Sequence, residues 1–210
     1  TFQHSLQVSI LSVAAAEKVG GDTQLIRTGA LYHDIGKMKN PVFFTENQGS
    51  TNPHDSYSAL DSAAIIIRHV TDGIALAQKH NLPTQIIEFI RTHHSTSLVK
   101  YFYTTYCNEH PDEEVDPAPF TYPGPRPYTR EQGILMLADA TEASSRSLKE
   151  YTPEIIRTHV NRIIDSIVTD GHLNDTPLTF RDIQTIKEVF ISKLQTMYHS
   201  RIAYPEIKKA

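Results

Sequence analysis

Helical periodicity is the feature that most restricts the fold of this 210-residue chain. Between its loops, apolar residues recur three or four positions apart, as Leu6, Ile10, Leu11 and Ala14 do, and this spacing places them on one face of an α-helix. No stretch alternates convincingly between apolar and polar residues, which is the pattern of a half-buried strand. The sequence therefore predicts an all-α fold, a helical bundle in which residues 1–210 form a single domain.

Turn and capping residues divide the chain into predicted helices and two long loops. Gly20 stops the first helix, whereas Pro83 and Pro153 suit the first turns of later ones. The loops cover about residues 40–60 and 108–129 and are rich in turn-forming residues. The predicted helices cover residues 4–19, 22–36, 61–69, 72–80, 83–93, 98–107, 130–148, 153–168 and 179–199.

Composition excludes several classes of protein. With 39% hydrophobic and 21% charged residues, and no apolar stretch near the roughly 18 residues that a membrane helix needs, we expect a soluble globular chain. The single cysteine, Cys107, favours a reducing compartment such as the cytoplasm. A net charge of −4 gives no general attraction for DNA or RNA, so a phosphate-bearing ligand must meet local positive charge.

The chain opens at Thr1 without a signal peptide, and we expect it to be a piece of a longer protein.

A histidine–aspartate pair, His33-Asp34, lies at the end of the second predicted helix. The dipeptide alone is not specific, because a second one, His54-Asp55, occurs in the first loop. The first pair differs in its helical context. Lys37 follows it by three to four residues, so that the three side chains can share one helix face. The pattern favours a metal site with an adjacent cation.

Further candidate ligands lie at or near the ends of predicted helices or inside them. Asp139 stands out because its neighbours are apolar, and a carboxylate in such surroundings is rarely buried unless it is paired or metal-bound. Imidazole and carboxylate ligands without thiolate favour manganese, iron or zinc. The alternative is that each histidine is an ordinary core or surface residue. The candidates, enough for two ions if one carboxylate bridges them, are His4, His33, Asp34, His69, His93, His94 and Asp139.

The order of these residues along the chain resembles the HD phosphohydrolase superfamily. Longer stretches are similar to the cytoplasmic domain of PgpH-type proteins, a seven-transmembrane-helix HD family that hydrolyses cyclic di-AMP. The resemblance spans nearly the whole chain and implies an HD-superfamily bundle whose parent protein is anchored in the bacterial cell membrane by segments absent from this sequence. The stretches that carry it are residues 33–39, 44–48, 52–55, 93–103, 122–125 and 198–202.

The resemblance also implies how the site works. Two divalent ions, with manganese or iron as first candidates, would share Asp34, and a hydroxide bridging them would attack cyclic di-AMP to give the linear dinucleotide 5′-pApA. Asp34 and Lys37 are then the catalytic residues, with Lys37 adding positive charge. The implied ligands are His4, His33, Asp34 and Asp139 for one ion, and His69, His93, His94 and the bridging Asp34 for the other.

Several residues are candidates for substrate contacts. Arg146 follows the last predicted ligand by seven residues, which puts it on the same helix face or, alternatively, leaves it as a solvated arginine. Tyr101 and Tyr103 could stack on adenine or pack in the core. Asn47 and His54 could belong to a loop that covers the substrate, although ordinary turn chemistry explains them nearly as well.

Three functions compete, and the sequence favours a cyclic di-AMP phosphodiesterase. The second is another HD phosphohydrolase, acting on cyclic di-GMP or a mononucleotide. Residues 95–99 replace the Gly-Tyr-Pro signature of the cyclic di-GMP family, and Gly36-Lys37 replace the acidic pair of the stringent-response hydrolases. The third is a non-catalytic nucleotide sensor, which has no need of a complete set of metal ligands.

Overall fold

Eight α-helices make up most of the computed structural model, which describes residues 1–49 and 51–198. No strand occurs within these ranges, where the sheet-like pairing is an isolated bridge between Leu98 and Thr121. The prediction of an all-α fold is therefore confirmed. The helices are α1 (Phe2–Val19), α2 (Thr23–Tyr32), α3 (Ala59–Lys79), α4 (Thr84–Thr92), α5 (Lys100–Glu109), α6 (Arg130–Ser145), α7 (Pro153–Thr169) and α8 (Phe180–Tyr198).

Side-chain caps explain where several helices begin. Asp22 accepts hydrogen bonds from the backbone amides of the first turn of α2, and Ser58 does the same for α3. Thr129 and Gln132 form a reciprocal capping box at the start of α6. Thr152 caps α7, whose first residue is Pro153.

The structure corrects the prediction of separate helices over residues 61–69 and 72–80, because α3 runs unbroken through both. Thr71 stays inside the helix, with its hydroxyl donating to the carbonyl of Arg68 at 3.0 Å. Gly73, a weak helix former, is tolerated because it packs directly against Ile90 of α4. Tertiary packing outweighs local propensity at this point.

The prediction that the second helix runs to Gly36 is also wrong, since α2 ends at Tyr32. A short 3-10 helix, Ile35–Lys39, follows it. Three more 3-10 helices occupy the first predicted loop, and a fifth occupies the second. The last predicted helix and the 198–202 stretch extend into residues 199–202, which lie outside the described residues, and the domain boundary at residue 210 stays a prediction.

Helix α6 lies at the centre of the main core. Its residues 132–139 are all buried, and it packs against α1, α2, α4, α7 and α8. The main apolar core is built largely by α1, α6, α7 and α8, and a smaller cluster is centred on Ala77, Ile87 and Ile90 between α3 and α4. Because α6 is surrounded, Asp139, which follows its apolar run, is carried into the interior.

No helix within the described ranges is both long and apolar enough to cross a membrane.

The 3-10 helix after α2 approaches α3 more closely than any side chain would allow. A Cβ atom added at Gly36 would lie 1.8 Å from the carbonyl oxygen of His69 and 2.5 Å from the backbone nitrogen of Gly73. Only glycine fits such a backbone contact. This approach brings Asp34, two residues earlier, next to the histidine of α3.

Replacing Gly36 by alanine should lower the free energy of unfolding by about 3 kcal/mol, because the added methyl group must push two backbone segments apart. Urea denaturation followed by circular dichroism measures this change. Gly49→Ala is the matched control, since a Cβ there meets nothing within 4 Å, and it should change stability by less than about 0.5 kcal/mol. Equal stability of the two variants would show that the backbone around Gly36 yields without cost.

Candidate metal centre

Five helices bring the seven predicted ligands together in the interior. His33 and His93 are the C-cap residues that directly follow α2 and α4, while His4, His69 and Asp139 lie within α1, α3 and α6. All seven are buried except His94, which is partly exposed. They form two groups, in each of which one potential ligand atom per residue lies within 4.8 Å of the others. The groups are Asp34, His69, His93 and His94, and His4, His33 and Asp139.

The carboxylate of Asp34 lies between the two groups. Its Oδ2 is 3.4 Å from Nε2 of both His4 and His33, and its Oδ1 is 3.4 Å from Nε2 of His69 and 3.6 Å from Nε2 of His93. Asp34 is 1% exposed, and apart from the ammonium of Lys37, 2.6 Å from Oδ2, its oxygens face imidazole nitrogens. A buried carboxylate in this state is costly unless cations compensate it. The residues present therefore fit two divalent ions that share Asp34.

Three of the histidines have their tautomer fixed by the backbone. In each, Nδ1 lies within hydrogen-bond distance of the carbonyl three residues earlier. Because a carbonyl can only accept, Nδ1 carries a proton, and Nε2 points into the cluster. Metal-bound histidines in proteins are held in the same way. The pairs are His33 with Ala30 at 2.7 Å, His69 with Ile66 at 2.6 Å, and His93 with Ile90 at 2.8 Å.

The adjacent pair at the end of α4 is held neutral. Burial lowers the pKa of His93, and burial beside His93 holds the pKa of His94 well below its usual range. The ring of His94 also stacks on that of Tyr122, with centroids 4.2 Å apart. Neutral imidazoles fixed in this way are suited to bind a metal ion.

The other group holds protons in the absence of metal. Burial alone would lower the pKa of His4, but hydrogen bonds with Asp139 and Glu142 raise it to about 9. Burial would also lower the pKa of His33, but the charge of Asp34 raises it to about 10. These protons balance the buried carboxylates, and a divalent cation bound there would replace them.

Lys37 reaches the centre, although not by the predicted route. The prediction placed it on one α-helical face with His33 and Asp34, whereas the backbone there forms a 3-10 turn in which the amide of Lys37 donates to the carbonyl of Asp34. The ammonium Nζ lies 2.6 Å from Asp34 Oδ2 and 3.0 Å from Glu46 Oε1. Burial would lower the pKa of Lys37, but these two carboxylates raise it, so the side chain is a permanent cation.

A cavity of about 740 Å³ opens from the cluster, a volume within the range of small-molecule sites. Its inner end is lined by His4, Lys37, His93, His94 and Asp139. Arg146 lines it further out, as the helical offset predicted. Its apolar walls come mainly from α6 and α7, through Met136, Ala140, Ala143, Ile163 and Ile167.

The other predicted substrate contacts are not among the residues that line this cavity, and they stay predictions. Asn47 accepts a hydrogen bond from the N-terminal amine at 2.7 Å. His54 packs against the rings of Phe43 and Phe102. Tyr101 is 73% exposed, and Tyr103 packs against Phe120.

Two residues without a role in the sequence analysis contact the ligands. Tyr122 supports His94, and it belongs to the 122–125 stretch that carried the family resemblance. Glu142 is completely buried in α6, one turn after Asp139, and contacts His4 and Arg146. The signal for Glu142 was its offset of three residues from Asp139, which places both on one helix face.

Comparison with known proteins agrees with this geometry. The family model described as "HD domain" matches residues 1–144, and the chain belongs to the HD domain family.

Within that family the chain is similar to phosphodiesterases named PgpH. It is 40% identical over 210 residues to "Cyclic-di-AMP phosphodiesterase PgpH" of Bacillus subtilis (strain 168), and 38% identical over 209 residues to the protein of that name from Listeria monocytogenes serotype 1/2a (strain 10403S). These matches cover 100% and 99% of this chain but only 29% of each relative, so the chain spans less than a third of their length.

A solved structure, the L. monocytogenes phosphodiesterase PgpH HD domain in complex with cyclic-di-AMP, is 37% identical and matches with a TM-score of 0.90. The match covers 97% of this chain and 93% of that one. The predicted HD-superfamily fold is therefore confirmed.

Proposed function

We propose that this chain is the metal-dependent phosphodiesterase domain of a longer protein and that it hydrolyses cyclic di-AMP to 5′-pApA. The observation that carries the proposal is the carboxylate of Asp34, which is buried and directs one oxygen toward each group of histidines. The similarity to relatives named as cyclic di-AMP phosphodiesterases supports the choice of substrate.

The predicted division of ligands follows the two groups. His4, His33 and Asp139 would hold one ion and His69, His93 and His94 the other, with Asp34 shared. Two divalent ions, manganese or iron first, would activate the attacking water and neutralise charge that develops on the phosphate. The neutral, oriented imidazoles and the two ionised carboxylates supply what such ions require.

The remaining groups around the cavity suit a cyclic dinucleotide. The ammonium of Lys37 lies beside the shared carboxylate, where it can donate to a non-bridging phosphate oxygen as charge builds up. Arg146 adds a second positive charge further out, and the apolar walls offer surfaces for the bases. The ribose 3′ oxygen leaves, so the phosphate stays on the 5′ side, and the opened ring can depart before a second cut.

We propose that the domain acts in the cytoplasm and that its parent protein is anchored in the bacterial membrane. The support is the family resemblance together with the length of the relatives, of which this domain matches only 29%. With a net charge of −4, DNA and RNA are not expected as substrates.

Chromatography of the products tests the proposal. With equal Mn²⁺ loading, cyclic di-AMP should be cleaved at least roughly tenfold faster than cyclic di-GMP, since a site that pairs with one base leaves buried groups unpaired with the other. The linear dinucleotide should appear before any AMP.

Each alternative has its own result. Faster cleavage of cyclic di-GMP, of a mononucleotide or of a short RNA would reject the substrate. AMP without a linear intermediate at early times would reject the single cut. Tight binding of cyclic di-AMP without turnover in the metal-loaded protein would identify a sensor.

A further inference from the structure

We propose that Glu142 is a positioning residue of the metal centre, which fixes the tautomer and orientation of His4 and so sets the affinity of the ion that His4 holds. The inference rests on the proposed metal centre and adds to it a residue that is not itself a ligand.

Glu142 uses both carboxylate oxygens inside the protein. Oε2 accepts a hydrogen bond from Nδ1 of His4, and Oε1 accepts from Nε and Nη2 of Arg146 at 3.0 and 2.7 Å. The side chain is fully buried, whereas the guanidinium of Arg146 reaches the cavity wall and keeps about a third of its surface exposed. The carboxylate thus connects a predicted ligand on one side with a cavity-lining cation on the other.

The contact with His4 replaces one that His33, His69 and His93 obtain from the backbone. Each of those donates Nδ1–H to the carbonyl three residues earlier in its own helix. His4 lies in the first turn of α1, and the corresponding carbonyl, that of Thr1, accepts from the amide of Ser5. The orienting acceptor for His4 therefore comes from α6 instead.

A carboxylate does more than a carbonyl in this position. Charge-assisted hydrogen bonds are stronger than neutral ones, and a carboxylate behind a ligating histidine raises its basicity. With Nδ1–H fixed on Glu142, Nε2 is directed at Asp139 Oδ1, 3.0 Å away, and at Asp34 Oδ2, 3.4 Å away. Arg146 stabilises this arrangement, because it compensates the buried charge of Glu142.

Glu142→Gln tests the proposal by metal binding. Glutamine keeps the shape, but its amide has a single acceptor oxygen and cannot serve both His4 and Arg146. In calorimetric titration of chelator-stripped protein with Mn²⁺, one of the two binding events should weaken by about 10- to 100-fold, while the other stays within about threefold.

Lys187→Met is the matched control. Lys187 is also buried and ion-paired, with Nζ 2.6 Å from Asp165 Oδ1, but it lies in α8 away from the cluster. This variant should lower the thermal midpoint and leave both Mn²⁺ affinities within about threefold. The two variants thus separate a weaker orientation of His4 from a lower stability of the fold.

A measurement on the unaltered chain covers the case in which Glu142→Gln does not fold. Long-range ¹H–¹⁵N correlation spectra of the Zn²⁺-loaded protein should show His4 protonated at Nδ1, with the proton shifted far downfield by its carboxylate partner. A proton on Nε2, or unchanged Mn²⁺ affinities in Glu142→Gln, would overturn the inference. Fewer than two Mn²⁺ ions bound by the unaltered chain would instead count against the proposed metal centre.

Discussion

Replacing Asp34 by alanine should remove both metal ions and lower the turnover of cyclic di-AMP by roughly a thousandfold or more. One oxygen of this carboxylate faces His4 and His33, and the other faces His69 and His93. Loss of the side chain therefore takes a ligand from both coordination spheres and leaves the positive charge of Lys37 uncompensated beside them. Metal content by mass spectrometry and product chromatography measure the two effects on one preparation.

The control for this variant is Asp72→Ala. Asp72 also forms an ion pair with a lysine, with Oδ1 3.0 Å from Lys39 Nζ, but that pair lies at the surface. We expect Asp72→Ala to keep both ions and to turn over within about twofold of the unaltered chain, because surface ion pairs contribute little to stability. If Asp34→Ala keeps one full equivalent of metal, or more than about a tenth of the activity, Asp34 does not bridge two ions.

Lys37→Ala should keep both ions yet lower turnover by about 100- to 1000-fold, as expected when a donor to the transition state is removed. Its Nζ lies at the inner end of the cavity, 2.6 Å from the shared carboxylate. With both ions bound, the charge of Asp34 is compensated without Lys37. The decrease in turnover should therefore come from the chemical step and not from metal binding. Turnover at saturating substrate, measured alongside the metal content, shows where the loss lies.

Lys39→Ala is the matched control, since Lys39 lies two residues further on in the same 3-10 helix and its side chain is 57% exposed. It should turn over at the rate of the unaltered chain within about twofold. Unchanged turnover in Lys37→Ala would make Lys37 a structural partner of Asp34. Loss of the ions in Lys37→Ala would instead show that Lys37 is needed to retain the metal.

Periodicity and capping residues predicted most of the helices. The two wrong predictions lie where contacts between distant segments determine the structure. The early end of α2 depends on the backbone contact between Gly36 and α3, more than 30 residues later in the chain. The continuity of α3 depends on Gly73 packing against Ile90. Neither contact leaves a trace in the periodicity of one segment.

The candidate ligands could be predicted from the sequence because their residue types are the ones that bind metal ions. A buried aspartate after an apolar run, and histidines at helix ends, indicated ligands, and the cluster contains all seven. The division into two groups came only from the family resemblance, since sequence spacing does not give distances between helices. Glu142 was missed because Glu and Arg four residues apart on a helix are usually an exposed pair, whereas here the glutamate is fully buried.

The positions of the tyrosines depend on the path of the chain after the two histidines. Tyr101 and Tyr103 were candidates for stacking on a base because they follow the two adjacent histidines, but the chain turns into α5 there and carries them away from the cavity lining. Tyr122, about 20 residues further on, stacks on His94 instead. Aromatic residues near ligands in sequence need not be near them in space.

Two divalent ions that share Asp34 are expected to support the cleavage of one bond of cyclic di-AMP. The most direct measurement is the metal content of fully active protein together with the identity of its first product. Fully active protein should contain two ions per chain and release 5′-pApA first. Full turnover with a single ion per chain, or with none, would contradict this expectation.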